Sequence, residues 1–294
     1  PRRLATDIGP VIDAEARGAI NDHIQRMREL GYRVVQAPLP QGCADGCFVA
    51  PAIVDLVNLD GIGQLKHEVF GPVLHVVRWT PATLPALIDA INETGYALTH
   101  GIHTRIDEQV ETILARVRAG NVYVNRNVIG AVVGVQPFGG HGMSGTGPKA
   151  GGPMYLPRLA RHARIDWPSA SDEPTPATRA QPQPNVGAGR AALGDTRGAL
   201  TALNDVIADT PSLSADERRE LAAALAEARS FARRAPRIVL PGPTGESNAL
   251  ELHPRGIAAC LAGSDFVQLR QAVAAIAAGN RLLLRDSALA ARIG

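Results

Sequence analysis

The sequence predicts an α/β protein, and three observations carry that reading. Residues 1–125 alternate helix-period and strand-period patterns of apolar residues. Residues 238–294 return to the same alternation. Between them, residues 166–190 hold Pro168, Pro174, Pro176, Pro182 and Pro184 among Ser, Thr, Gln and Ala, the composition of an extended linker. With 294 residues the chain can hold one large or two modest domains and a sizeable core.

The elements follow in order. Asp13 can cap a helix whose apolar face is Ala16, Ile20, Ile24, Met27 and Leu30, with Gly31 as its left-handed stop. Tyr32–Gln36 reads as a strand. Phe48–Val57 is extended, with Pro51 suggesting an edge or a bulge. Val73–Trp79 is a short apolar run that suits a buried strand. Leu84, Leu87, Ile88 and Ile91 mark the next helix, and Ala97–Thr104 the next strand. Val110, Ile113, Leu114 and Val117 mark a further helix closed by Gly120, after which Asn121–Asn125 forms a strand. Residues 130–153 are rich in Gly and Pro, as a long shaped loop is, and a loop of that length in a compact domain is usually functional. Beyond the linker, 191–207 and 214–233 read as helices, the second capped at Ser214 with Asp216 and Glu217 in its first turn and Leu221, Leu225 and Ala228 on one face.

Composition excludes several classes. Apolar residues make up 45% and charged residues 20%, with a net charge of +2, so nothing points to nucleic acid or a membrane surface. There is no apolar stretch of about 18 residues. Cys43, Cys47 and Cys260 are odd in number and sparse, which fits a reducing, cytoplasmic setting. Cys43 and Cys47 lack the further Cys or His ligands that a zinc site needs, so no metal is expected. His67, His75, His100, His103 and His141 match no metalloprotease or nucleophile pattern. The run Gly145–Pro153 resembles a phosphate loop only superficially, because Ala150 rather than Ser or Thr follows Lys149.

Three short motifs carry the chemistry: Asp7-Ile8-Gly9-Pro10-Val11-Ile12, Glu68-Val69-Phe70-Gly71-Pro72-Val73 and Pro137-Phe138-Gly139-Gly140. A carboxylate such as Glu68, beside an aromatic and a Gly-Pro turn, can accept two hydrogen bonds from a ribose diol. Gly130 and Ala131 have no side-chain chemistry, but backbone N–H groups at a tight bend can hold a carboxylate. The bland alternatives are a solvated Glu68, a plain turn at 130–131 and an ordinary core Phe138.

In this order and spacing, together with Gly120–Asn125, the motifs resemble the aldehyde dehydrogenase superfamily over roughly residues 4–165. The Gly130-Ala131 pair and the Gly145–Pro153 run are similar to its glutamate-semialdehyde branch, in particular the bifunctional proline-utilisation flavoproteins. The resemblance implies NAD as cofactor, with Glu68 on the nicotinamide ribose and Phe70 beside the nicotinamide. It also implies glutamate semialdehyde as substrate, with its α-carboxylate on Gly130 and Ala131 and its aliphatic part on Phe138. FAD is implied only in a proline dehydrogenase domain upstream of this chain. Peripheral membrane association would come only through that upstream part, and a homo-oligomer is expected.

The family's nucleophilic Cys, base Glu and oxyanion Asn all precede the position of Asp7–Ile12. No catalytic residue is therefore assigned here, and the chain alone is expected to be inactive. It begins with Pro1 and stops at Gly294 straight after an apolar segment, which reads as part of a longer protein.

The tail has Gly242-Pro243-Thr244-Gly245-Glu246-Ser247-Asn248, His253–Ile257 and Ala277–Arg285, and it resembles the opening of a second, degenerate unit of the same superfamily. Ala262–Phe266 and Arg285-Asp286 depart from the catalytic pattern, and no G-x-G-x-x-G is present. The expected division is 1–165, the C-terminal part of an aldehyde dehydrogenase catalytic domain with an open α/β sheet; 166–190, a linker; 191–236, helical; and 237–294, a truncated Rossmann-like domain of structural use. A non-catalytic structural or assembly module remains the alternative reading of the whole, and a retained nucleotide-binding role that of the tail.

Overall fold

The computed structural model describes residues 7–43, 45–160, 196–233, 237–284 and 289. The expected linker at 166–190, residues 191–195 and the Arg285-Asp286 pair lie outside the described residues. The chain is α/β, as expected. Its contacts divide it into two units: Pro1–Val128 with Gly139–Gly147, and Ile129–Phe138 with Pro148–Gly294.

The first unit opens with α1 (Ala14–Glu29), capped where the Asp13 carboxylate accepts from the Ala16 N–H at 2.8 Å. Gly31, at φ +84°, ends it in the left-handed region that a side chain would strain. Ile20, Ile24 and Met27 lie on one face of α1 and are buried, each contributing about 1.5–3 kcal/mol. Leu30, expected on that face, is 48% exposed, because it is already the C-cap residue where the helix unwinds.

The helix covers a three-stranded sheet ordered β1 (Arg33–Gln36), β2 (Ala52–Asp55), β3 (Val73–Val76), in which β1–β2 is antiparallel and β2–β3 parallel. Ile20 and Ile24 pack with Val49 and Ala52, and Met27 with Val54 and Leu56. Pro51 marks neither an edge nor a bulge. It stands one residue before β2, the central strand, where its missing N–H costs no ladder bond. The other face of the sheet carries Val35, Ile53 and Leu74 in register across the three strands, 51%, 45% and 57% exposed. The strand expected at Val73–Trp79 is therefore shorter and only half buried.

The same unit continues through α2 (Leu84–Glu93), β4 (Tyr96–Ala97), β5 (Thr99–Ile102), α3 (Asp107–Arg116), β6 (Asn121–Val124) and β7 (His141–Gly142). Leu84, Ile88, Ile102, Val110 and Ile113 form its second core, over the parallel pair β5–β6. The strand expected at Ala97–Thr104 is divided, since β4 pairs with β7 whereas β5 pairs with β6.

The second unit contains α4 (Tyr155–Leu159), α5 (Thr196–Ala208), α6 (Ala215–Arg233), β8 (Arg237–Leu240), β9 (Asn248–Glu251), β10 (Ile257–Cys260), α7 (Asp265–Ala277) and β11 (Arg281–Leu284). Its core unites Leu200 and Leu203 of α5, Leu221 and Leu225 of α6, and Leu269 and Val273 of α7. Ser214 caps α6 as expected, and Glu217 completes a capping box: the Glu217 N–H donates to Ser214 Oγ at 3.2 Å and the Ser214 N–H to Glu217 Oε2 at 2.8 Å. Arg218 donates to the carbonyls of Ile207, Ala208 and Thr210, closing the C-terminus of α5. β8 and β9 form an antiparallel hairpin, and β10–α7–β11 is a parallel βαβ unit.

Candidate functional site

In the first unit, the chain passes Lys66-His67-Glu68-Val69-Phe70 before turning at Gly71-Pro72 into β3. A Cβ at Gly71 would press on Ile20 Cδ1, so a larger residue there would require that buried side chain to shift. Glu68 and Phe70 then line one cavity of about 410 Å³, walled on the other side by Ala16, Ala19, Ile20 and His23 of α1. Phe70 is 83% exposed, so its ring presents a free face. Glu68 is exposed, and its backbone N–H donates to the Tyr96 hydroxyl at 3.0 Å. Arg26, Lys66 and Asp22 also line the cavity, which therefore offers charges of both signs.

His23 Nε2 lies 2.9 Å from His75 Nε2 of β3, the rings meeting edge to face. Burial pushes both imidazoles below their ordinary value; Arg26 adds to the shift at His23, and His23 adds to it at His75.

Also in the first unit, the glycines of the Pro-Phe-Gly-Gly run approach the start of β6 closely. The Gly139 N–H donates to Asn121 Oδ1 at 3.2 Å, and a Cβ at Gly120 would collide with the Gly139 carbonyl. The Ala97 N–H donates to Ser144 Oγ at 2.9 Å, fixing the return of the chain to β4.

In the second unit, Gly130 turns at φ +75°, a conformation that favours glycine, and Ala131 is half-buried. The following turn is closed by the Gln136 N–H donating to the Val132 carbonyl at 2.8 Å. Gln136 is 7% exposed, and both ends of its amide are engaged: Oε1 accepts from the Val132 N–H at 2.9 Å, and Nε2 donates to Glu246 Oε2 at 3.0 Å. Phe138 is half-buried and exchanges both backbone hydrogen bonds with Ala150, at 3.0 and 2.9 Å.

Glu68 and Phe70 thus share one cavity in the first unit, and Gly130, Ala131 and Phe138 share one loop pair in the second. Sequence reasoning missed Gln136, Tyr96 and His23. Gln136 had a signal, being the one polar residue between the Gly130 bend and Pro137.

Cys43 and Cys47 lie in the connection from β1 to β2, where the Val11 N–H donates to the Cys47 carbonyl at 2.7 Å. Cys260 is buried in β10, and burial pushes its thiol up, away from nucleophilic use. Lys149 is lowered to about 8 by burial. Among the described residues no cluster of His, Cys, Asp or Glu could hold a metal, and no helix is long and apolar enough to cross a membrane.

Residues 1–162 match the aldehyde dehydrogenase family. Over 295 residues the chain is 45% identical to the bifunctional protein PutA of Escherichia coli, covering 98% of this chain and 21% of that protein. Over 156 residues it is 35% identical to 1-pyrroline-5-carboxylate dehydrogenase of Bacillus pumilus, covering 52% of this chain and 29% of that one. Among solved structures, a variant of Proline Utilization A from Bradyrhizobium japonicum is 56% identical with a TM-score of 0.47, covering 51% of this chain and 15% of that one. The chain therefore spans about a fifth of the length of the PutA relative.

Proposed function

The chain belongs to the aldehyde dehydrogenase family, and from that premise we propose that it supplies the cofactor- and substrate-anchoring part of an NAD-dependent L-glutamate γ-semialdehyde dehydrogenase that serves proline catabolism. The nucleophilic Cys and the general base come, in this proposal, from outside these 294 residues, and the chain alone is inactive. The names of two relatives, bifunctional PutA and 1-pyrroline-5-carboxylate dehydrogenase, support the substrate class.

The observation that carries the reading is the Gly130–Ala131 bend. There Gly130 takes a left-handed φ of +75°, and neither Gly130 nor Ala131 carries a large side chain of its own against an approaching carboxylate. Backbone N–H groups at the bend would orient the α-carboxylate, and the Phe138 ring would pack on the substrate methylenes. Glu68 and Phe70 fit NAD: the carboxylate would accept from the ribose hydroxyls, and the exposed ring would flank the nicotinamide. When bound, NAD would supply the hydride acceptor.

An upstream FAD-containing proline dehydrogenase domain, homo-oligomerisation and a cytoplasmic location belong to the same proposal, as does the division at 165, 190 and 236. A second reading, a structural or assembly module, is favoured for the tail by its separate apolar core of α5, α6 and α7.

The test is steady-state kinetics of the full native gene product with L-glutamate γ-semialdehyde and NAD. Ala131→Leu is expected to raise KM for the semialdehyde about tenfold or more. No turnover by the unmodified protein, or an unchanged KM in the variant, would overturn the substrate assignment.

A further inference from the structure

We propose that Gln136 and Glu246 are positioning residues that hold the Gly130–Ala131 bend in shape, so that the loop between β8 and β9 of the tail sets the affinity of the carboxylate anchor. This rests on the proposed role of that bend. The two side chains meet at 3.0 Å although 110 positions separate them in the chain. Gln136 acts as a strut: its oxygen holds the Val132 N–H, next to Ala131, and its nitrogen is held by the Glu246 carboxylate.

Glu246 is itself oriented. Its N–H donates to the Pro243 carbonyl at 3.0 Å, its Oε2 faces Asn248 Nδ2 at 3.4 Å, and Gly245 turns at φ +93° just before it. A buried amide with both ends bonded to charged or backbone partners costs little where it is, but is costly to leave half satisfied. The tail sequence Gly242–Asn248, which carries no chemistry of its own, thereby gains a task at the substrate site.

The test exchanges the polarity of the pair in the full native gene product. Gln136→Glu keeps the acceptor for the Val132 N–H but sets a carboxylate against Glu246. The double exchange Gln136→Glu with Glu246→Gln restores one donor and one acceptor in swapped order. KM is measured for the semialdehyde and for propionaldehyde, which has no α-carboxylate.

The expected result is a rise of about tenfold or more in the semialdehyde KM for Gln136→Glu, with kcat and the propionaldehyde KM within about twofold, and recovery of most of the loss in the double exchange. An unchanged semialdehyde KM overturns the inference. So does an equal loss on both aldehydes, or a double exchange that fails to recover. If the unmodified protein does not oxidise the semialdehyde at all, the functional proposal itself falls, an outcome separate from these.

Discussion

The backbone N–H of Glu68 donates to the phenolic oxygen of Tyr96 at 3.0 Å, tying the segment that lines the cavity to the start of β4. Tyr96 is half-buried and Glu68 exposed, so the bond fixes the backbone from which an exposed carboxylate projects. Tyr96→Phe keeps the ring and removes the acceptor. For a protein that uses Glu68 to hold NAD, the expected effect is a rise of roughly two- to tenfold in KM for NAD, with kcat and melting temperature little changed. Equal KM values for NAD in the two proteins would remove Tyr96 from the site.

The His23–His75 contact makes the first unit sensitive to acid. Both folded-state values lie below the ordinary imidazole value, chiefly through burial. The unfolded chain therefore binds protons first. The stability from the neutral pair is fully present above about pH 6.5 and is lost as pH falls through that value toward the lowered folded ones. His100, also lowered by burial, adds to the same slope. Urea midpoints measured at about pH 7.5 and 5.5, on either side of that value, are expected to fall more in the native chain than in His23→Gln. Parallel slopes would show that protonation of the pair is not linked to folding.

Local signals carried most of the helices. The Asp13 cap, the Gly31 stop and the Ser214 cap act over a few residues, and each is read correctly from sequence spacing. Burial faces were less legible. Leu30 follows the helical period yet sits on the cap, and Pro51 suggests an edge only until β1 and β3 are found on either side of β2. The motif residues Glu68, Phe70, Gly130, Ala131 and Phe138 were visible as types and spacings. What supports them was not, because Tyr96 stands 28 residues from Glu68 and Glu246 stands 110 from Gln136. Nothing in a local pattern encodes such pairings.

Gly120 tests the close packing behind the Pro-Phe-Gly-Gly run. An added Cβ would run into the Gly139 carbonyl and crowd Gly140 Cα at 2.8 Å, both of them backbone that cannot rotate away. Gly120→Ala is expected to destabilise the first unit by about 1–3 kcal/mol, since overpacking must be relieved by backbone movement. Gly18→Ala, with nothing within 4 Å of the added carbon and a position inside α1, is the control and should be neutral or stabilising. Chemical denaturation of both variants checks the pair, and a Gly120→Ala midpoint equal to the native one would mean that the two segments part without cost.

Leu221 and Leu225 of α6, 0% and 1% exposed, are the centre of the three-helix core. Truncating either to Ala leaves a cavity among α5, α6 and α7, with an expected loss of about 2–5 kcal/mol. Far-ultraviolet circular dichroism during urea titration would report it, and a loss below about 1 kcal/mol would show that the helices collapse into the gap.

Lys66 and Lys149 are the chain's two lysines, which makes Lys149 readable by itself. Burial lowers its folded value to about 8, while an unfolded lysine stays at about 10.4. Carbon-13 dimethylation of the chain should therefore give two lysine resonances, one of them titrating near the lowered value. The same shift acts on stability. Between the folded and unfolded values the unfolded chain holds a proton that the folded chain has released, so stability falls as pH drops through that window and is recovered as pH rises. Lys149→Met removes this group from the balance. The native chain should gain more melting temperature between about pH 8 and 10 than Lys149→Met does. Equal gains would mean that Lys149 is solvated in the folded state.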